Sequence, residues 1–117
     1  MYSDGMYIRI GETYRPLSRQ DGGGGRLQHL SYHYGRHLGG FKADGFPALV
    51  NKCEIRIDID SLHGRHIHYQ GLDHIPEVRT PGLDFDAIDP FRFILAIEEH
   101  RKTSKPLHEI FGFTVEP

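Results

Sequence analysis

The sequence contains a single cysteine, no tryptophan and no long apolar run. One thiol, that of Cys53, cannot form an internal disulfide, so the composition favours a reducing, cytoplasmic location. A membrane-spanning helix needs about 18 consecutive apolar residues, and no stretch of the chain approaches that length, so we expect no membrane association. The residues that follow Met1 form neither a basic nor an apolar region, so no secretory signal is expected.

The chain also has no large excess of positive or negative charge. The formal net charge is −2 with histidine neutral, which excludes the polybasic surface of a general nucleic-acid binder. Histidine is abundant instead, with nine residues. Because imidazoles titrate near neutral pH, we expect any binding of polyanions to be local and dependent on pH.

The chain is 117 residues long, the length of one domain, and we predict a single domain over residues 1–117. The glycine-rich segment 21–25 predicts a hairpin loop. It is not followed by the Lys-Ser/Thr pair that a nucleotide-binding loop requires.

The clearest structural pattern lies in residues 54–60, where isoleucines alternate with charged residues. Such alternation predicts a half-buried strand. After a turn at 61–64, residues 65–69 return as its partner, giving a His-x-His hairpin over 53–70. His66 and His68 are then expected on the face that carries Arg56 and Asp58, whereas Tyr69 faces inward.

Other segments complete the expected fold. Residues 6–14 predict a strand; residues 26–37 are ambiguous, with tyrosines and glycines favouring a strand over a helix. Residues 72–88 read as an irregular acidic stretch, and residues 110–115 as a last edge strand. Asp89-Pro90 is a typical helix start, which predicts a helix over 89–104.

Together these elements predict an α+β fold. It is a mostly antiparallel β-sheet, and one main helix from the C-terminal half of the chain packs on it. The expected core consists of apolar residues from the hairpin and the helix: Ile55, Ile57, Ile59, Ile67, Phe91, Ile94, Leu95 and Ile97.

The paired strand histidines are the strongest candidate for chemistry. Alternation places the His66 and His68 imidazoles on one face, at a spacing that suits either two ligands of one metal or an acid/base pair around a phosphate. His74 is a further candidate catalytic residue, and Arg56 or Arg65 would stabilise an anionic transition state. The other interpretation is a solvated strand face that happens to be rich in histidine.

Asp73-His74-Ile75-Pro76 resembles the opening of the HNH nuclease motif. The resemblance implies that Asp73 ligates a metal and that His74 activates water. The region around His100 is similar to the closing ligand region of that motif, and Asp89 is the nearest counterpart of its middle residue. In a metal-dependent version, the ligands would be His66, His68 and Asp73, with Zn²⁺, Ni²⁺ or Mg²⁺ as the ion.

The order of elements over residues 53–104 resembles small prokaryotic proteins of toxin–antitoxin and related conflict systems. That resemblance implies RNA cleavage or toxin neutralisation. We therefore expect a small ribonuclease that uses the paired histidines, with RNA and a cognate protein as its partners. The alternatives are a non-catalytic antitoxin, immunity or other partner-binding module, and a protein whose histidine cluster holds a metal. A homodimer and a monomer both remain open, because the many aromatic residues suit an interface as well as a core.

Overall fold

The computed structural model describes residues 2–16, 25–37, 43, 51–61 and 64–117. The glycine-rich loop predicted at 21–25 lies outside the described residues except for Gly25, as do positions 62 and 63 of the predicted turn. The described part contains five strands: β1 (Met6–Pro16), β2 (Gly25–His37), β3 (Asn51–Asp60), β4 (Gly64–Tyr69) and β5 (Leu72–Pro76). Two short 3₁₀ helices follow at Glu77–Arg79 and Phe85–Ala87, and then helices α1 (Pro90–Thr103) and α2 (Leu107–Phe111).

The strands form one antiparallel sheet in the order β1-β2-β3-β4-β5, and α1 packs on it. The fold is therefore α+β and mostly sheet, as predicted. The ambiguous segment 26–37 is a strand. The hairpin of β3 and β4 is confirmed, with Ile57 opposite Ile67 and Asp58 opposite His66.

Alternation gives the sheet one apolar face, which α1 covers. On this face Tyr32 of β2 lies beside Ile57 of β3 and contacts the Phe93 ring of α1 at 5.4 Å between centroids. Tyr32, Ile57 and Phe93 are all at most 1% exposed. The core of the molecule therefore lies between this face and α1.

Helix α1 begins as the sequence predicts, because the Asp89 side chain accepts a hydrogen bond from the Arg92 N–H and Pro90 occupies the first turn. The predicted buried face of α1 is wrong apart from Ile97. Phe91, Ile94 and Leu95 are 75%, 40% and 56% exposed.

The helix residues that face the sheet are Phe93, Ala96 and Ile97, which are spaced three and four positions apart as one helical face requires. Positions 91, 94 and 95 form the opposite stripe of the same helix. Ile59, also predicted as core, is only partly buried because it lies at the edge of the apolar face.

Two further expectations are corrected. Residues 72–76 form a strand where an irregular stretch was expected, because Gln70 and Gly71 both adopt positive φ and close a tight turn between β4 and β5. The predicted edge strand at 110–115 is absent. Helix α2 ends at Phe111, and the chain beyond Gly112 runs back along the loop at 79–81.

Candidate functional site

The face of the sheet opposite α1 is polar, and its side chains form rows across the strands. One row consists of four residues with basic side chains, one from each of β1 to β4: Arg9, His33, Arg56 and His68. The next row along the strands is Gly11, Ser31, Asp58 and His66. Because directly opposed residues share a face at short distances, each row is a line of neighbouring residues, and Gly11 leaves open space at the β1 end of the second row.

Asp58 lies at the centre of this face and is fully buried, although it is charged and sits on the polar side. The guanidinium Nε of Arg56 lies 3.1 Å from its Oδ1 and 2.9 Å from its Oδ2. His29 Nε2 lies 3.2 Å from Oδ1, and Ser31 donates a further hydrogen bond. A buried carboxylate requires such partners, because an unpaired buried charge is strongly destabilising.

The two strand histidines turn toward the other oxygen of the same carboxylate. His66 Nε2 lies 3.0 Å from Asp58 Oδ2, and His68 Nε2 lies 3.2 Å from it. The His66 ring stacks on the His74 ring with 4.0 Å between centroids. His66 keeps only 7% of its side chain exposed and His68 keeps 19%.

The second ring nitrogen of each imidazole, Nδ1, also has a polar contact. His66 Nδ1 lies 3.1 Å from the Gly64 carbonyl oxygen, which can only accept, so this nitrogen carries the hydrogen. His68 Nδ1 lies 3.2 Å from Asp73 Oδ1, also an acceptor. The His74 N–H approaches the same nitrogen at 3.4 Å, but the carboxylate contact is shorter and charge-assisted, so we place the hydrogen on Nδ1. Both Nε2 atoms therefore present a lone pair to Asp58 when the rings are neutral.

Two buried atoms of this cluster lack hydrogen bonds. Among the residues that the structure describes, Asp58 Oδ2 and His68 Nε2 are buried polar atoms without a hydrogen-bond partner. They face each other, but their contact lacks hydrogen-bond geometry. Most buried polar side-chain atoms in proteins are paired, so this pair requires an explanation.

The electrostatics of the face follow from these contacts. Burial alone would raise the pKa of Asp58, but hydrogen bonds from Arg56 and Ser31 and the charge of Arg56 outweigh it, and the pKa lies below its ordinary value. Burial, with the charges of Arg56 and Arg9, lowers the pKa of His33 to about 4. Asp58 is therefore ionised and His33 neutral near pH 7.

A groove of about 670 Å³ lies over this face. Gly11 and Ser31, the small residues of the Asp58 row, form part of the lining of the groove. A Cβ placed on Gly11 would meet no atom within 4 Å, so the space above this residue is open. Side chains from both neighbouring rows also line the groove, namely Arg9, Thr13, His29, His33, Arg56 and His68. The groove therefore gives a ligand access to His29, Arg56 and His68.

Cys53 also lines the groove. Burial raises the pKa of its thiol to about 11. The thiol therefore stays protonated near neutral pH, which disfavours a role as nucleophile or metal ligand.

The structure brings together most, but not all, of the residues that the sequence predicts for the site. Arg56, His66 and His68 meet at Asp58, and His74 covers His66. Arg65 is the exception. It lies opposite Ile59 on the other face, where it pairs with Glu77 and Asp86, because strand alternation separates position 65 from positions 66 and 68.

The arrangement implied by the HNH resemblance is not assembled. His100 lies on α1, its ring packs near Tyr34 on the apolar side of the sheet, and its Nδ1 contacts the Lys105 carbonyl oxygen. Asp89 caps α1. Asp73 is 92% exposed and contacts the outer nitrogen of His68 rather than the Nε2 side that faces Asp58.

Sequence reasoning did not identify Asp58 as the centre of the cluster or His29 as its partner. Asp58 was placed on the correct face, but its complete burial depends on the register between β2 and β3, which brings His29 opposite Asp60 and Ser31 opposite Asp58. The basic row likewise depends on the register of β1, which brings Arg9 opposite His33.

Comparisons with protein-family models, curated proteins and solved structures find no match to this chain. No helix in the described part of the chain is long and apolar enough to cross a membrane.

Proposed function

We propose that the polar face of the sheet binds the phosphate backbone of RNA and cleaves it. The observation that supports this proposal best is the row of Arg9, His33, Arg56 and His68 beside the groove. Guanidinium groups bind phosphate through several N–H donors. In this row His33 lies between Arg9 and Arg56, and His68 lies beside Arg56. The row would therefore form a local anion site on a chain whose net charge is slightly negative.

Part of this row already has acidic partners. Arg56 lies 2.9 Å from Asp58 Oδ2, and His68 contacts Asp58 and Asp73. Because His33 is neutral near pH 7, Arg9 and Arg56 supply the positive charge of the row. Both guanidinium groups line the groove, so an anionic ligand bound there would contact them.

His29 is the histidine best placed to move a proton. Its Nε2 contacts Asp58 Oδ1, it keeps 30% of its side chain exposed, and it lines the groove. A buried carboxylate that holds one imidazole nitrogen orients the ring toward the groove side. His29 thus takes the base role that the sequence suggested for His66 or His68, because His66 is covered and the Nε2 atoms of both face Asp58.

The proposed reaction is a transesterification within RNA. The 2′-oxygen forms a bond to phosphorus as its proton passes to His29, and the bond from phosphorus to the 5′-oxygen breaks. The leaving oxygen takes a proton from water, and His29 then returns its proton to the resulting hydroxide. Arg56, 41% exposed beside the groove, would stabilise the charge on the phosphate oxygens.

Cleavage of a labelled single-stranded RNA, with DNA of the same sequence as control, tests this function. The wild-type chain should cut the RNA only, and His29→Gln should lower the rate by about 100-fold or more, since general-base catalysis contributes at least that factor. His100→Gln, on the other side of the sheet, is the matched control and should cut normally. Equal rates for His29→Gln and wild type, or no cleavage by wild type, would contradict the proposal.

A second candidate function is the binding of a protein partner, and the outer face of α1 favours it. Phe91, Ile94 and Leu95 form an exposed apolar stripe there, and such stripes often mark interaction surfaces. A toxin-system role would provide a cognate partner for this stripe, and a homodimer would provide a second copy of the chain. Sedimentation of wild type and Phe91→Glu at micromolar concentration tests the homodimer. A mass that falls to one chain in the variant supports it, and a wild-type monomer excludes it.

A further inference from the structure

We infer that Asp58, His66 and His68 form a binding site for a divalent transition-metal ion of the Zn²⁺ class, held through Oδ2 and the two Nε2 atoms. The ligand set differs from the one that the sequence suggested, because Asp58 takes the place of Asp73. The existence of this site does not depend on RNA cleavage, whereas its role in catalysis rests on that proposed function.

Two buried atoms of the cluster lack hydrogen bonds, which favours a bound cation. Asp58 Oδ2 and His68 Nε2 are both buried, lie 3.2 Å apart and have no hydrogen-bond partner in the part of the chain that the structure describes. With the hydrogen of His68 on Nδ1, its Nε2 presents a lone pair to a carboxylate oxygen that also has only lone pairs. A cation between the two atoms would satisfy His68 Nε2 and would add to the ion pair that Arg56 makes with Oδ2.

The distances between the three candidate ligand atoms suit a bound metal ion. Two ligand atoms about 2.0–2.1 Å from a tetrahedral Zn²⁺ are about 3.3 Å apart. The separations from Asp58 Oδ2 are 3.0 Å to His66 Nε2 and 3.2 Å to His68 Nε2. All three candidate ligand atoms lie within 4.8 Å of one another. An ion could therefore enter with only small side-chain shifts.

The orientation of the His66 and His68 imidazoles also favours metal binding. Histidines that bind metals usually donate their second N–H to a carbonyl or carboxylate, which fixes the ring and its tautomer. His66 has the Gly64 carbonyl and His68 has the Asp73 carboxylate in that position. The exposed Asp73 therefore acts as a positioning residue behind a ligand.

The chemistry of the ligands selects the ion. Two neutral imidazoles and one carboxylate suit Zn²⁺, Ni²⁺ or Co²⁺, whereas Mg²⁺ and Ca²⁺ prefer oxygen ligands alone. This argues against the Mg²⁺ that the sequence left open. Cys53 retains its proton near neutral pH and adds no thiolate.

The neighbouring charges leave room for an ion. A carboxylate offers about four lone-pair sites. Arg56 and His29 both contact Oδ1, and Arg56 also approaches Oδ2 at 2.9 Å, so its charge competes with the metal for one of the lone pairs of Oδ2. Since His68 lines the groove, a ligand position left open on the ion would adjoin the proposed phosphate site, where the ion would supply charge stabilisation to the leaving oxygen.

Titration of the chelator-stripped chain with Co²⁺, followed by Zn²⁺ competition, tests the site without RNA. We expect one Co²⁺ per chain with the visible absorption of a four- or five-coordinate ion. Asp58→Asn and His68→Ala should each weaken binding by more than about 100-fold, and Asp73→Asn by about tenfold. His100→Ala, a histidine removed from the opposite side of the sheet, should bind as wild type does.

A measurement on the wild-type chain covers the case in which the ligand variants fail to fold. Zn²⁺ should shift the imidazole ¹⁵Nε2 resonances of His66 and His68 and leave those of His100 unchanged. Unshifted His66 and His68 resonances, or folded ligand variants that bind Co²⁺ as wild type does, would overturn the inference.

The same samples separate this inference from the proposed function. Co²⁺ binding at this site without RNA cleavage would keep the metal site and overturn the cleavage proposal. Cleavage by the stripped chain, together with no Co²⁺ binding, would overturn the metal site and keep the cleavage proposal.

Discussion

The two faces of the sheet are made by alternate residues of the same strands, yet they are organised by different forces. On one face Ile57 and Ile67 lie opposite each other and are completely buried against apolar neighbours. One residue further along each strand, Asp58 and His66 also lie opposite each other and are also buried, among charged and polar side chains. Apolar burial stabilises the first pair, whereas the second requires specific partners for every polar atom.

This difference shows where function is to be sought. Well-packed apolar residues often stabilise a fold as well as a buried ion pair does. We therefore propose the cluster around Asp58 as a binding or reaction site, whereas the face under α1 is the structural core.

The apolar face should respond to truncation as a packed core does. Phe93→Ala removes a ring that is 0% exposed, and such changes cost about 3–5 kcal/mol of unfolding free energy. Phe91→Ala, two positions away and 75% exposed, should change stability by no more than about 0.5 kcal/mol. Urea denaturation measures both, and similar losses for the two variants would contradict the assignment of the buried helix face.

The polar face should make stability depend on pH through His33. Because burial and the neighbouring arginines lower its folded pKa from 6.5 to about 4, the unfolded chain binds a proton that the folded chain does not. Stability should therefore be greatest above pH 6.5 and fall as the pH decreases toward 4.

Replacing His33 should weaken this pH dependence. In His33→Gln the loss of stability between pH 6.5 and 4 should be smaller than in wild type by roughly 1–3 kcal/mol. Urea denaturation of both chains at several pH values measures this difference. A His33→Gln slope equal to that of wild type would show that His33 does not resist protonation.

Arg56 should affect the two proposed ligands in opposite directions. Arg56→Gln removes a positive charge 2.9 Å from Asp58 Oδ2, so Co²⁺ should bind several-fold more tightly. The same change removes a phosphate contact, so the variant should bind a non-cleavable RNA analogue about tenfold more weakly. Arg65→Gln, on the other face, should alter neither affinity. Equal losses of both affinities in Arg56→Gln would indicate that Arg56 only supports the structure.

Much of the architecture could be predicted from alternation and helix capping. The pattern at 54–60 places Arg56 and Asp58 with His66 and His68, and Asp89-Pro90 marks the start of α1. The same alternation places Arg65 on the opposite face from these residues.

The remaining features depend on tertiary contacts that the sequence does not reveal. Helix α1 has apolar residues on two stripes, one with Phe93 and Ile97 and the other with Phe91 and Leu95, and only packing against the sheet decides between them. The register of β2 against β3 brings His29 to Asp58 across nearly thirty positions of the chain, and no local pattern specifies it. Whether the chain is a single domain stays a prediction.

An oligonucleotide that is DNA except for one central ribonucleotide tests cleavage through the 2′-hydroxyl most directly. We expect a single cut on the 3′ side of that ribose, leaving a 2′,3′-cyclic phosphate and a 5′-hydroxyl, and little or no cut by His29→Gln. Mass spectrometry of the products identifies both ends. Cuts at deoxyribonucleotides, a product without the cyclic phosphate, or an intact oligonucleotide after incubation with the wild-type chain would contradict the claim that this face of the sheet cleaves RNA through its 2′-hydroxyl.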